Sequence, residues 1–242
     1  MSDTEKRTIL AIGAHPSDLV ANMGGALGKH AQHGDRVILL TLTYGLEVHT
    51  ERFIGKPEAE IKRLVRKESE DAAGILGLHE FMFLDFGDTP LVMTRQNLQE
   101  LADVMQDIRP DLILCAHYPF RELNSYNDHS EAARMVERAP TYRHHGGKKA
   151  YQPPAIWFAM VEAMQFARPT PHVPDVYVDI TDTMDLKIKA CIATWDMQGD
   201  DAEHTAKAIR AMDSFYGQFA GVPYAEGFET FRRPRAVGVL GL

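Results

Sequence analysis

His15 and Asp18 stand three residues apart in the stretch Ala14-His15-Pro16-Ser17-Asp18. The stretch follows an apolar run and precedes a helical pattern, so it reads as a turn between strand and helix. On such a turn both side chains can point into one site. His129 opens a later helical pattern in Tyr126-Asn127-Asp128-His129 and can close a His-Asp-His set. Two imidazoles and one carboxylate suit zinc, with iron or cobalt as alternatives, and leave a fourth position for water. A water held there ionises near neutral pH and becomes a nucleophile. Each residue also has a plainer reading. Asp18 and Asp128 can be helix N-caps. A lone histidine at a strand end is usually a hydrogen-bonded surface or core group.

The elements that must position these residues are legible as hydrophobic patterns. Thr8–Ala14, Arg36–Thr43, Phe81–Phe86, Leu112–Ala116 and Ile156–Val161 are short apolar runs without polar alternation, with Val176–Ile180 as a sixth. Such runs are strands buried on both faces. Between and after them lie helical patterns over Asp18–Gln32, Pro57–Gly77, Gln96–Ile108, His129–Arg138, Asp182–Met197 and Ala202–Phe219. Strand and helix alternate, which predicts an α/β three-layer sandwich with a mostly parallel central sheet. Thr141–Pro154, Ala167–Pro174 and Gly221–Pro234 read as loops, and no break separates two cores, so residues 1–242 form one expected domain. Ligands of an open α/β sheet bind outside the carboxyl ends of its strands. Those ends carry His15 and Asp18 after the first strand and Tyr44-Gly45-Leu46-Glu47 after the second. Gly87-Asp88 follows the third, and His117, then Tyr126 to His129, follow the fourth.

Composition limits the classes. The chain has 242 residues and a formal net charge of −8, which argues against a nucleic-acid partner. No stretch approaches the ~18–20 apolar residues of a membrane span. The charged start Met1-Ser2-Asp3-Thr4-Glu5-Lys6-Arg7 lacks the features of a signal peptide. Two cysteines, Cys115 and Cys191, lie in apolar contexts. Together these point to the cytoplasm and a small-molecule substrate.

Other patterns have bland accounts. Gly24, Gly25 and Gly28 sit too far into the helix for a dinucleotide fingerprint, and close helix–sheet packing explains them better. Lys62, Arg63, Arg66 and Lys67 alternate with acidic residues as on a solvated, ion-paired helix face. His144-His145-Gly146-Gly147-Lys148-Lys149 reads as either a lid or a plain loop. Gly-x-Ser-x-Gly is absent and neither cysteine has a polar setting, so serine and thiol nucleophiles are poor candidates.

The ordered set of motifs resembles the PIG-L/LmbE superfamily of zinc-dependent deacetylases. It comprises Ala-His-Pro-x-Asp after the first strand, the pair Gly24-Gly25, Asn127-Asp128-His129, Pro174 to Thr181, and Tyr224-Ala225-Glu226. The resemblance implies a Rossmann-like domain, metal ligands at His15, Asp18 and His129, and self-association into a homo-oligomer. Two departures matter. The family's first aspartate, its general base, is replaced by Ser17, whose hydroxyl cannot accept a proton from water near neutral pH. The histidine that helps stabilise the oxyanion is replaced by Tyr126, which can still donate a hydrogen bond. One branch of the superfamily also lacks that aspartate and shares Thr43-Tyr44-Gly45 with a nearby glutamate, and Gly87-Asp88-x-Pro90-Leu91. It includes 4-oxalomesaconate hydratase-like enzymes of aromatic-ring breakdown. The histidine of that branch after the fifth strand falls here on Met164, beside Glu162.

These readings converge on a water-activating zinc enzyme that hydrolyses an N-acyl bond in a small polar substrate. Glu47 or Asp128 would handle protons, and Tyr126 or His117 would steady the oxyanion. A hydratase for unsaturated polycarboxylates is the alternative and needs cations near the metal, with Arg52, Lys56 and Arg121 as candidates. A non-catalytic metal-binding relative is the third reading.

Overall fold

The computed structural model describes residues 6–46, 53–87, 89–116, 128–142, 151–159, 174–194 and 202–232. The apolar runs become strands β1 (Thr8–Gly13), β2 (Arg36–Thr41), β3 (Glu80–Phe83), β4 (Leu112–Cys115), β5 (Ala155–Ala159) and β6 (Val176–Asp179). A further strand, β7 (Ala225–Arg232), lies within Gly221–Pro234, which the sequence reads as a loop. The helices are α1 (Pro16–His33), α2 (Glu58–Ile75), α3 (Arg95–Ile108), α4 (Asp128–Arg138), α5 (Met184–Ala193) and α6 (Ala202–Ala220).

The strand order is β3-β2-β1-β4-β5-β7-β6. The pairs from β3 through β5 are parallel, and β7 runs antiparallel to both β5 and β6. Side chains alternate across the sheet into two cores. Ile9, Ala11, Val37 and Leu39 join α1, α2, α5 and α6 on one face. Leu10, Ile12, Ile38 and Leu40 join α3 and α4 on the other. Both faces are therefore dry, which is why these runs lack polar alternation. The arrangement is the expected three-layer α/β sandwich.

β7 escaped the hydrophobic pattern because it buries a charge. Its Glu226 is 2 % exposed, beside the fully buried Phe228. The glycines of α1 also pack differently from expectation. A Cβ on Gly24, Gly25 or Gly28 would meet Lys187, Ile180 or Thr183, in α5 and the turn before it, rather than the sheet. The charged face of α2 carries ion pairs four residues apart, Lys62–Glu58 at 2.6 Å and Lys67–Asp71 at 2.7 Å, as its spacing implies. Cys115 and Cys191 are both buried and unpaired with each other.

Candidate metal centre

The site forms where the strand order reverses. β1 has β2 on one side and β4 on the other. The helices that follow β1 and β4 diverge from that point, and the gap between their starts is the natural crevice of an open α/β sheet. His15 leaves β1 in extended geometry, φ −120° and ψ 161°, and Pro16 then opens α1. A residue before proline avoids helical geometry, and proline suits a first helical position, so this dipeptide fixes where strand becomes helix. Asp18, in the first turn, accepts the His15 backbone N–H on Oδ2 at 2.7 Å. The N-cap reading of Asp18 thus has a physical counterpart, although His15 itself occupies the cap position.

The capping carboxylate is also part of the site. Its Oδ1 lies 3.5 Å from His129 Nε2, and its Oδ2 lies 3.4 Å from His15 Nδ1. His15 Nδ1 and His129 Nε2 are 3.1 Å apart, with the rings edge to face. One ligand atom from each of His15, Asp18 and His129 falls within 4.8 Å of the others. His15 and Asp18 are buried, while the His129 side chain is 29 % exposed, so the cluster opens to one side.

Asp128 occupies a different position from its neighbour. It starts α4, and its carboxylate accepts the backbone N–H of Leu91 at 2.7 Å and of Thr89 at 2.9 Å. Its Oδ2 lies 3.3 Å from His15 Nε2. Burial alone would raise Asp128, but the hydrogen bonds from His15, Leu91 and Thr89 outweigh it and hold the carboxyl at about 2. Burial likewise opposes a charged His15, yet Asp128 and Asp18 push the imidazole up to about 10. The pocket is thus built to hold positive charge between two carboxylates. Two imidazole nitrogens facing each other at this distance share one proton. A divalent cation would take the lone pairs of both, together with Asp18. The donor set therefore fits a metal ion, with Asp128 outside it as the partner that orients His15.

Ser17 is buried at 5 % exposure beside this cluster in the chain. Thr43, after β2, donates from its backbone N–H and from Oγ1 to the Ala14 carbonyl, both at 3.0 Å, and so ties the β2 end to the His15 turn. Glu47, His117, Tyr126, Arg52, Arg121, Glu162 and Met164 lie outside the described residues. Lys56, just before α2, pairs with Glu60 of its first turn at 2.8 Å. The anchoring of Asp128 by Thr89 and Leu91 has no sequence signature, because backbone donors look alike at every position.

Comparison with known proteins places these residues in context. Residues 10–140 match the family described as PIG-L, GlcNAc-PI de-N-acetylase. The diacetylchitobiose deacetylase of Thermococcus kodakarensis is 30% identical over 229 residues, covering 91% of this chain and 82% of that protein. The chain belongs to the PIG-L family. Another PIG-L relative, the 4-oxalmesaconate hydratase of Pseudomonas putida, is also 30% identical, over 202 residues covering 79% of this chain and 75% of its own. Among solved structures, the N,N'-diacetylchitobiose deacetylase from Pyrococcus horikoshii superposes with a TM-score of 0.79 at 27% identity, covering 94% of this chain and 84% of that one. This PIG-L chain is an enzyme of the deacetylase or hydratase kind. No helix among its described residues is long and apolar enough to cross a membrane.

Proposed function

We propose that this protein is a zinc-dependent enzyme that hydrolyses the N-acyl bond of a small, polar, acetamido-type substrate. The observation that carries the proposal is the convergence of His15, Asp18 and His129 at the strand-order reversal. These three hold the metal, with iron or cobalt as substitutes for zinc. When bound, the ion supplies Lewis acidity to a carbonyl and lowers the pKa of a water. Asp128 keeps the His15 ring oriented through Nε2, and both its oxygens are engaged, Oδ1 by the Leu91 N–H and Oδ2 by His15 and the Thr89 N–H. That leaves Glu47 as the proposed general base, with Tyr126 and His117 as proposed donors to the developing oxyanion. The two buried cysteines, which form no disulfide, accord with a cytoplasmic setting. Self-association into a homo-oligomer is proposed from the family resemblance.

A second reading is supported by Ser17. A serine at this position cannot act as the base, and a hydratase relative matches at the same 30% identity as a deacetylase, over a shorter stretch. The same centre would then add water across the conjugated double bond of an unsaturated polycarboxylate. A panel assay of the zinc-loaded protein decides between the readings. Acetamido sugars and unsaturated polycarboxylates are tested side by side. Release of acetate from a sugar supports the first reading. Loss of the enone absorbance of a polycarboxylate without acetate release replaces it with the second.

A further inference from the structure

Away from the metal centre, β7 buries a carboxylate that the proposed chemistry does not use. Glu226 accepts the backbone N–H of Gly25 on Oε1 and of Ala26 on Oε2, both at 2.8 Å. These N–H groups lie in α1, just past Met23, which departs from helical geometry at φ −149°, ψ 17°. The break falls directly before the pair Gly24-Gly25, where helices kink readily. A helix that restarts presents unsatisfied N–H donors, and a carboxylate is well suited to them. Glu226 therefore caps the second half of α1 from a distant strand.

The cap is itself held. Lys187 Nζ, on α5, lies 2.9 Å from Glu226 Oε1 and 2.7 Å from Asp213 Oδ2 on α6, and Lys187 is fully buried. Gly25 is fixed on two further sides. Its carbonyl accepts from Thr183 Oγ1 at 2.9 Å, and a Cβ on it would lie 2.6 Å from Ile180. The rear half of α1 is thereby locked to β7, α5 and the turn between β6 and α5. The front half has its own anchor. Asn22 Nδ2 donates to the Ala116 carbonyl, at the end of β4, at 2.9 Å. The break at Met23 lies between the two anchors, and Asp18 sits on the front segment about one and a half turns before it. His15 is fixed at the end of β1 by the Thr43 bonds to Ala14, and α4 holds His129, so a change of angle at the break bears on Asp18, the one member of the set that α1 carries.

We infer that Glu226, paired with Lys187, is a positioning residue for the metal centre: it fixes the break in α1 so that Asp18 faces His15 and His129. The inference rests on the reading of those three residues as metal ligands. The antiparallel strand β7, remote from the site in sequence and lying between β5 and β6, thus bears on the site's geometry.

The test compares zinc affinity, by competition with a chelator, in the full-length wild type, Glu226→Gln and Asp213→Asn. Glu226→Gln keeps the shape and turns one acceptor into a donor facing an N–H. Asp213→Asn leaves the cap and its contact with Lys187. Hydrogen exchange over residues 16–22 is followed in the metal-free proteins. Glu226→Gln, at a temperature where it is fully folded, should bind zinc about tenfold or more weakly. Its 16–22 segment should exchange faster, and Asp213→Asn should stay close to wild type in both. A folded Glu226→Gln with wild-type zinc affinity and wild-type exchange overturns the inference, whatever its melting temperature. If Glu226→Gln does not fold, Thr183→Val removes the hydroxyl from the Gly25 carbonyl and must shift both readouts in the same direction, and no shift overturns the inference. A wild type that binds no zinc defeats the metal reading alone. Exchange in the metal-free variants then decides whether Glu226 sets the front of α1.

Discussion

Asp128 and His129 are adjacent in sequence and do different work. His129 presents Nε2 to His15 Nδ1 and Asp18, whereas Asp128 takes the far nitrogen of His15 and two backbone N–H groups. Asp128→Asn should therefore weaken zinc binding by about 10–100-fold, as loss of an orienting partner does. A chelator titration checks this, and unchanged affinity with a lower rate would return Asp128 to proton transfer. Ser17→Ala should change kcat/KM by less than about tenfold, roughly 1.4 kcal/mol in barrier. Glu47→Gln should lower the rate by about 100-fold or more while metal content stays intact. An inactive variant that has also lost its metal would make Glu47 a ligand or a structural partner instead. The His-Asp-His set was legible in the sequence because strand ends of a parallel sheet share one edge. The role of Asp128 was not, because it depends on the Thr89 and Leu91 backbone, which reaches it only through the fold.

At the scale of elements, six strands could be read from their apolar runs, and β7 could not. A strand that carries a buried glutamate looks like a loop until its partner cation is known, and Lys187 lies on a helix remote in sequence. The Lys187–Asp213–Glu226 group gives two predictions. Lys187→Ala leaves two carboxylates buried without their cation and should cost about 3–5 kcal/mol in stability, read by urea unfolding. Asp213 gives the second. Burial, reinforced by Glu226 against the pull of Lys187, raises it from 3.8 to about 6. The folded state then binds a proton more tightly than the unfolded chain. Its stabilising contribution is complete below pH 3.8 and is lost as pH rises through about 6. The stability of the wild type minus that of Asp213→Asn should fall across this window. A difference that is flat with pH would show that Asp213 does not hold its proton in the fold.

For the whole molecule, the decisive feature is that β1 lies between β2 and β4, so the helices following β1 and β4 start on opposite sides of one crevice. Residues more than a hundred positions apart, His15 and His129, meet there at 3.1 Å. Metal bound only by the folded chain must stabilise it. Zinc at about 100 times its Kd should add about 2.7 kcal/mol, reversed by a chelator and seen as a shift in melting temperature. The central claim is that one ion sits among His15, Asp18 and His129. Anomalous diffraction from crystals of the zinc-loaded protein, recorded on both sides of the zinc absorption edge, tests it most directly. The account predicts one strong peak bonded to a nitrogen of each histidine and an oxygen of Asp18, at about 2.0–2.2 Å. A peak elsewhere, or zinc-loaded crystals in which His15 and His129 still face each other with no peak between them, would contradict it.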